Sequence, residues 1–210
     1  MPLPVTSVRE RRNYQKYANP NPVQRWLLKR FQFRVADLAA FSVGQDGASP
    51  RVLDVGCGEG FVLEYLKEKL PHIHLCGLDL DRKALELAKA RNNDMPFYLG
   101  DIFHLPFADG SFDLVICLEV LEHLESPWLA VEELARVSSR DILVSVPNQP
   151  LFSLANFLRG KNWPTWGDDP EHMQRWWGRS FVSFMGEKVA ITRVVYSFPW
   201  VIVLGRAKDK

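Results

Sequence analysis

The sequence predicts an α/β fold, a mostly parallel sheet with helices on both faces and a terminal antiparallel hairpin. Three observations point there. Between Arg51 and Val146, short apolar runs of strand length alternate with segments of helical spacing, the order of a parallel sheet. The run Ile142–Val146 is apolar but for Ser145, as suits a strand covered on both faces. Near the end, Val189–Tyr196 and Trp200–Leu204 are two strand-like runs joined by Ser-Phe-Pro, which reads as a hairpin on the sheet edge. With 210 residues, 47% of them apolar, the chain can bury a core without disulfides or metals.

The first twenty-two residues are polar and end in Asn-Pro-Asn-Pro, a turn in which Asn19 or Asn21 is placed to cap a helix. That helix runs from Pro22 to about Phe41. Val23, Leu27, Phe31, Val35 and Leu38 mark its apolar face, with Arg25, Lys29 and Gln32 on the other. Gly44–Pro50 is a loop. Strand Arg51–Val55, helix Gly60–Leu70, strand His74–Leu78 and helix Asp81–Arg91 follow, the last opened by Asp81. Phe97–Leu99 and Phe112–Leu118 are strands. Pro127–Val137 is a helix with Ser126 as cap and Pro127 at its first position. Pro147–Gly178 then breaks the alternation with four prolines and the cluster Trp163, Trp166, Trp176 and Trp177, which reads as a functional insert. Residues 1–45 thus form a basic arm with an amphipathic helix, and 46–210 the main body with its insert at 147–178.

No apolar run approaches the ~20 residues needed to span a bilayer, and no apolar stretch follows the first charges, so a secretory signal is not expected. Cys57, Cys76 and Cys117 all sit in apolar, strand-like context and read as reduced thiols of a cytoplasmic protein. Charge is unevenly spread. Residues 1–34 hold eight Lys and Arg against Glu10 alone, so this segment is +7 and the rest of a chain of net charge +1 is −6. A basic arm on an acidic body suits a membrane surface, a nucleic acid or an anionic substrate, or is simply a solvated face.

The segment Val52-Leu53-Asp54-Val55-Gly56-Cys57-Gly58-Glu59-Gly60 carries the most chemistry. A strand enters a turn with glycines two apart, and a helix leaves it. Glycine admits positive φ and close approach of a ligand to the backbone, and a helix N-terminus offers free N–H groups. The next strand ends at Asp79, nineteen residues beyond Gly60, where an acid can bond both hydroxyls of a ribose. The third ends in Gly100-Asp101-Ile102, where an acid can accept from an adenine amino group. Asp54, Asp79, Asp101 and Glu119 all fall near strand ends, and so many acids on one rim call for a cationic or donor-rich ligand. A dinucleotide turn has the spacing Gly-x-Gly-x-x-Gly. Here it is Gly-x-Gly-x-Gly with Asp54 just upstream, which repels a pyrophosphate and suits an ammonium. S-adenosylmethionine has an ammonium, a sulfonium, a ribose and an adenine, and no phosphate.

At these residues the chain resembles the class I S-adenosylmethionine-dependent methyltransferases, type 11-like. The likeness runs from about Arg51 to Val146 through LDVGCGEG, GLDLD, GDIFHLPFADGSFDLV and CLEVLEHL, in that order. It implies a Rossmann-like class I methyltransferase sheet and S-adenosyl-L-methionine as cofactor. It also implies cofactor contacts at Asp54, Gly56, Cys57, Gly58, Gly60, Asp79, Leu80, Asp101 and Ile102. Cys117, Leu118 and Glu119 would lie beside the methionine part.

After the fourth strand comes Glu119-Val-Leu-Glu122-His123, whose two carboxylates share a face if the turn is helical. His172, in Asp168-Asp169-Pro170-Glu171-His172, lies where the chain can return to the same rim. Glu119, Glu122, His123 and His172 could together hold a divalent ion. This pattern is similar to the ubiquinone-pathway O-methyltransferases and the small-RNA 2′-O-methyltransferases, which implies Mg2+ bound here to acidify a substrate hydroxyl. EVLEH-type segments also occur in metal-free relatives; there His172 or His123, beside Glu119, becomes the candidate catalytic base.

The acceptor is not written in the motifs. The Trp-rich insert suggests an aromatic or apolar small molecule, and the basic arm a lipid-linked one or peripheral contact with an anionic membrane. Tyr14 and Tyr17 either fold over the cofactor or simply pack. Three functions are compatible with the residues: a small-molecule O-methyltransferase, an RNA or protein methyltransferase docking through the arm, and a non-catalytic cofactor-binding module. Without an RNA-binding signature, nucleic acid ranks below small molecules.

Overall fold

The computed structural model describes residues 16–44, 49–149, 151–153 and 172–207. Seven strands form one sheet: β1 (Arg51–Val55), β2 (His74–Asp79), β3 (Phe97–Leu99), β4 (Phe112–Leu118), β5 (Ser138–Pro147), β6 (Val189–Ser197) and β7 (Trp200–Ala207). Their order is β3-β2-β1-β4-β5-β7-β6. The first five run parallel, and β7 lies antiparallel between β5 and β6. The sheet is therefore mixed and mostly parallel, ending in the hairpin read from the sequence.

Among the described residues, five helices of nine residues or more cover it. On one face lie α1 (Pro22–Val43), α2 (Phe61–Lys69) and α3 (Arg82–Arg91); on the other lie α4 (Pro127–Val137) and α5 (Gly178–Lys188). Leu28, Phe31 and Val35 of α1 pack with Leu114, Trp200 and Ile202. Val131 and Leu134 of α4, with Phe181 and Met185 of α5, pack with Val115, Val144 and Val203. Helix starts follow from local chemistry. Asn21 Oδ1 accepts from the N–H groups of Val23 at 2.9 Å and Gln24 at 3.2 Å, with Pro22 at the first turn. Asp81 Oδ1 accepts from the N–H of Lys83 at 2.8 Å. Ser126 stands at the start of α4, but its side chain makes no capping bond.

Several expectations need correction. The sequence reading assigns no element between Gly178 and Val189, where helix α5 lies; two glycines and two serines in Gly178-Arg-Ser-Phe-Val-Ser-Phe-Met-Gly-Glu-Lys lower its helix propensity. Burial of Phe181 and Met185 overrides that. Strand β5 starts at Ser138, not Ile142. Its polar head joins β4 through a register shift, and Asp141 is held by the hydroxyl of Ser42 at 2.7 Å. On α1, Gln32 is buried and donates to the carbonyl of Phe61 at 3.4 Å, whereas Val23 is 61% exposed. Of the tryptophan cluster, Trp176 packs on Phe181 and Phe184 of α5, and Trp177 is exposed. Trp163, Trp166, Asp168, Asp169, Pro170 and Glu171, like Tyr14 and the arginines at 9, 11 and 12, lie outside the described residues. Among those described, no helix is long and apolar enough to cross a membrane.

The packing of α5 generates a stability prediction. Phe181 is fully buried between sheet and helices, so Phe181→Ala should cost about 3–5 kcal/mol through lost burial and a residual cavity. Urea denaturation at neutral pH checks this. A loss below about 1 kcal/mol would mean that α5 is not part of the core.

Candidate functional site

Strands β1, β2 and β4 are parallel and in register, so their C-terminal ends open on one rim. The turn after β1 takes three glycines with positive φ: Gly56 at 77°, Gly58 at 54° and Gly60 at 75°. At Gly56 the space is also closed, since a Cβ there would lie 2.4 Å from Cγ2 of Val120. The turn is tied to β2 by the N–H groups of Gly56 and Cys57, which donate to the carbonyl of Leu78 at 2.7 and 3.1 Å. Asp79 completes the tie. Its Oδ2 accepts from the N–H of Gly58 at 2.7 Å and its Oδ1 from that of Asp81 at 2.8 Å. Both oxygens are thus fixed, and each keeps a second lone pair for a hydroxyl.

Two cavities meet at this rim. A cleft of about 730 Å³ is lined by Gly56, Gly58, Asp79, Leu80, Asp101 and Ile102, among others. The loop carrying Asp101 is braced from α4, where the guanidinium of Arg136 donates to the carbonyls of Leu105 and Phe107 at 3.0 and 2.8 Å. The N–H of Leu105 returns a bond to Glu133 at 2.9 Å. A smaller, more enclosed pocket of about 80 Å³ adjoins, lined by Asp54, Cys57, Glu59 and Leu118, with Lys16 and Tyr17 from the N-terminal segment. Gly56 and Glu119 line both, so the two are halves of one elongated site.

The smaller half is strongly acidic. Asp54 is buried, and desolvation together with the charge of Asp79 pushes its carboxyl up to about 7. Glu59 Oε2 and Glu119 Oε1 are buried without a hydrogen-bond partner among the described residues. Glu119 takes a left-handed conformation, φ 60°, uncommon outside glycine. Its other oxygen accepts from Nζ of Lys16 at 3.0 Å, and that ammonium also lies 5.3 Å from the ring centre of Trp200. Burial pulls the Lys16 pKa down, but the carboxylates around it outweigh burial and the net shift is up. Tyr17 stacks on Phe61 at 4.2 Å, which closes the pocket from the side of α2. Buried carboxylate oxygens with open acceptor capacity beside a glycine cradle fit a compact cation with a sugar attached.

Most of the residues singled out by sequence meet here, with two exceptions. Cys117 is fully buried in the core on the α4 face and reaches neither cavity. Gly60 serves as the N-cap of α2 rather than a cavity wall. Burial, then the charges of Asp54 and Asp79, hold the Cys57 thiol far above its ordinary range, so it is a neutral wall group. Lys16 was missed as a site residue, because nothing in its local sequence marks a contact made across the fold.

A second cluster forms beside the cleft, whose wall includes His123. One ligand atom each from Glu122, His123 and His172 lie within 4.8 Å of one another. Glu122 sits in the 3₁₀ turn Leu121–His123, and its carbonyl accepts from the N–H groups of Met173 and Gln174 at 2.8 and 2.9 Å, which brings the segment of His172 back to the rim. The rings of His123 and His172 are 5.1 Å apart. Nδ1 of His172 lies 3.5 Å from the amide of Gln149, itself held by Ser153. Glu119, expected as a fourth member, stands outside this group and faces Lys16.

The chain is similar in sequence and fold to known proteins. A family model described as a methyltransferase domain matches residues 53–142. A demethylmenaquinone methyltransferase of Thermotoga maritima is 38% identical over 90 residues, 43% of this chain and 39% of that protein. A malonyl-[acyl-carrier protein] O-methyltransferase of Hahella chejuensis is 31% identical over 124 residues, 57% of this chain and 44% of that protein. The chain thus spans less than half the length of these curated relatives. The solved magnesium protoporphyrin IX methyltransferase of Synechocystis, with bound SAH, superimposes with a TM-score of 0.65 at 21% identity, covering 93% of this chain and 98% of that one, which shows a common fold.

The raised Asp54 carboxyl gives this site a pH signature. An acid whose pKa is higher folded than unfolded binds its proton more tightly in the native state, so stability falls as pH rises from about 4 to about 7. Asp54→Asn should flatten that part of the profile and unfold later than the parent at pH 8. Denaturation midpoints measured from pH 4 to 8 test this; parallel profiles for the two chains would show that Asp54 is not held in its neutral form.

Proposed function

We propose that the chain is a class I S-adenosylmethionine-dependent methyltransferase and that it methylates an oxygen of a small-molecule acceptor, aromatic or lipid-linked. The observation that carries this reading is the elongated site itself. It joins a buried acidic pocket to a glycine cradle with a fixed carboxylate, and His123, on the wall of the cleft, gathers with Glu122 and His172.

Each residue has a role in this reading. Asp54, Glu59 and Glu119 supply negative charge, with two unpaired oxygens, for an ammonium and a sulfonium. Asp79 accepts the ribose hydroxyls and Asp101 the adenine amino group. Gly56 and Gly58 let the ligand lie against bare backbone. Lys16 keeps Glu119 compensated in the free protein. It can turn to a ligand carboxylate when a ligand ammonium takes its place. Bound there, S-adenosylmethionine supplies an electrophilic methyl group. The protein's main task is to hold the acceptor oxygen in line with it in a dry pocket, an effect worth up to about 7–11 kcal/mol in model reactions. His172 is buried, and its Nδ1, the acceptor nitrogen facing the Gln149 amide at 3.5 Å, is the candidate to take the proton from the acceptor hydroxyl. His123, exposed beside it, can pass that proton to water.

Glu122, His123 and His172 also fit a divalent ion, which would acidify the acceptor hydroxyl. Two imidazoles and one carboxylate depart from the oxygen-rich shell that magnesium demands, and suit a borderline ion such as zinc, iron or manganese.

Two measurements test the proposal. Calorimetry should detect S-adenosylmethionine binding to the parent chain and a loss of at least about tenfold in Asp79→Ala, which removes hydrogen bonds to the ribose; no binding to the parent chain would defeat the reading. His172→Asn should lower kcat about 10²–10⁴-fold with the cofactor Kd unchanged, and chelation should act on turnover only if an ion is used. Full turnover in that variant would remove His172 from the chemistry.

A further inference from the structure

Helix α1 does not bury all of its apolar side chains. On its outer side Trp26, Phe33 and Phe41 are 57, 56 and 54% exposed. Positions 26, 30, 33, 37 and 41 recur at helical spacing, so these rings share one outward stripe. Basic side chains flank it: Lys29, Arg30 and Arg34 on the helix, and Arg193 from the edge strand β6. Asp37 is the one acid on this stripe. The arginines lie over the rings, Arg30 at 5.4 Å from Trp26, Arg34 at 5.9 Å from Phe33 and Arg193 at 3.8 Å from Phe41. On average a half-exposed aromatic on a soluble surface needs no explanation; three in line, each under a guanidinium, do.

We propose that this face of α1 seats the protein on an anionic lipid bilayer. Aromatic side chains favour the headgroup level, where a ring is half dry and half wet, and arginine at the same depth meets lipid phosphate. Four cations against one acid give the charge complementarity. Single-stranded nucleic acid stacks its bases on open aromatic faces, whereas each ring here already has a guanidinium 3.8 to 5.9 Å from its centre. The opposite side of the same helix reaches the reaction site, where Phe31 lines the acidic pocket and Gln32 bonds the carbonyl of Phe61. Seating α1 on a bilayer therefore holds that pocket about one helix diameter, ~10 Å, from the headgroups. The proposal stands on surface residues and holds whatever reaction the cleft performs.

Flotation of the full chain with vesicles tests it, using phosphatidylcholine alone and phosphatidylcholine mixed with phosphatidylglycerol. The chain should float with the anionic vesicles and not with the neutral ones. Reversing Lys29, Arg30 and Arg34 to Glu should weaken binding by more than about a hundredfold, since each basic residue near such a surface contributes about fivefold. The variant Trp26→Ser, Phe33→Ser, Phe41→Ser should keep only weak binding that salt abolishes. Thermal midpoints and S-adenosylmethionine affinity of both variants should match the parent, because the substituted side chains are on the outer face. Absence of flotation, equal flotation with both lipids, or flotation unchanged by the substitutions would overturn the proposal. So would tighter binding to an RNA oligonucleotide than to the vesicles, or a dimer that the serine variant converts to monomer with flotation unchanged.

Discussion

Negative charge held out of water at the rim of a parallel sheet is the constraint around which this molecule is arranged. Strands β1 and β2 are adjacent and parallel, and Asp54, next to last in β1, and Asp79, at the end of β2, both stand near the same rim. Asp79 is satisfied by two backbone N–H groups, one from the glycine turn and one from the start of α3. Asp54 is buried, and desolvation first, then the charge of Asp79, lets it keep its proton to about neutral pH. A site of this kind is electrostatically incomplete, and the ligand that completes it must carry positive charge. A phosphate-bearing dinucleotide would add to the cost.

The rest of the site can be understood as management of that deficit. Glu119 is placed by a left-handed residue at the end of β4 and compensated by Lys16 from the N-terminal segment. This contact ties a stretch of chain outside the alternating β-α units to the floor of the pocket. It also divides the acids and histidines after β4 into two groups. Glu119 lines the acidic pocket and meets Lys16, while Glu122, His123 and His172 gather apart from it, in the group proposed above to meet an acceptor. Helix α1 links the acidic pocket to the surface, since Phe31 lines that pocket and the outer side of the helix is aromatic and basic.

How far the sequence alone reaches depends on how local each interaction is. The glycine turn, Asp79 and Asp101 were legible because strand, turn and acid are separated by fixed short distances within β-α units. The return of His172 to the rim could be anticipated from where β5 ends, but its pairing with Gln149 could not. Lys16 was opaque as a site residue because its partner, Glu119, is remote in sequence; Tyr17 was named as a residue that folds over the cofactor or packs, but its stacking on Phe61 was not legible. On α1, apolar periodicity assigned Val23 to the core and Gln32 to solvent. The sheet instead contacts a broad arc that includes Gln32, whose amide finds a carbonyl partner. Helix α5 was missed for a different reason: tertiary burial of Phe181 and Met185 outweighs weak intrinsic propensity.

Proton uptake or release on ligand binding tests the central claim most directly. S-adenosylmethionine can be titrated into the chain near pH 6 by calorimetry in buffers of different ionisation enthalpy. A cation settling beside Asp54 must pull its carboxyl back toward the ordinary range, so about one proton should leave per ligand bound. Binding without proton release, or a preference for a dinucleotide over the sulfonium, would contradict the account.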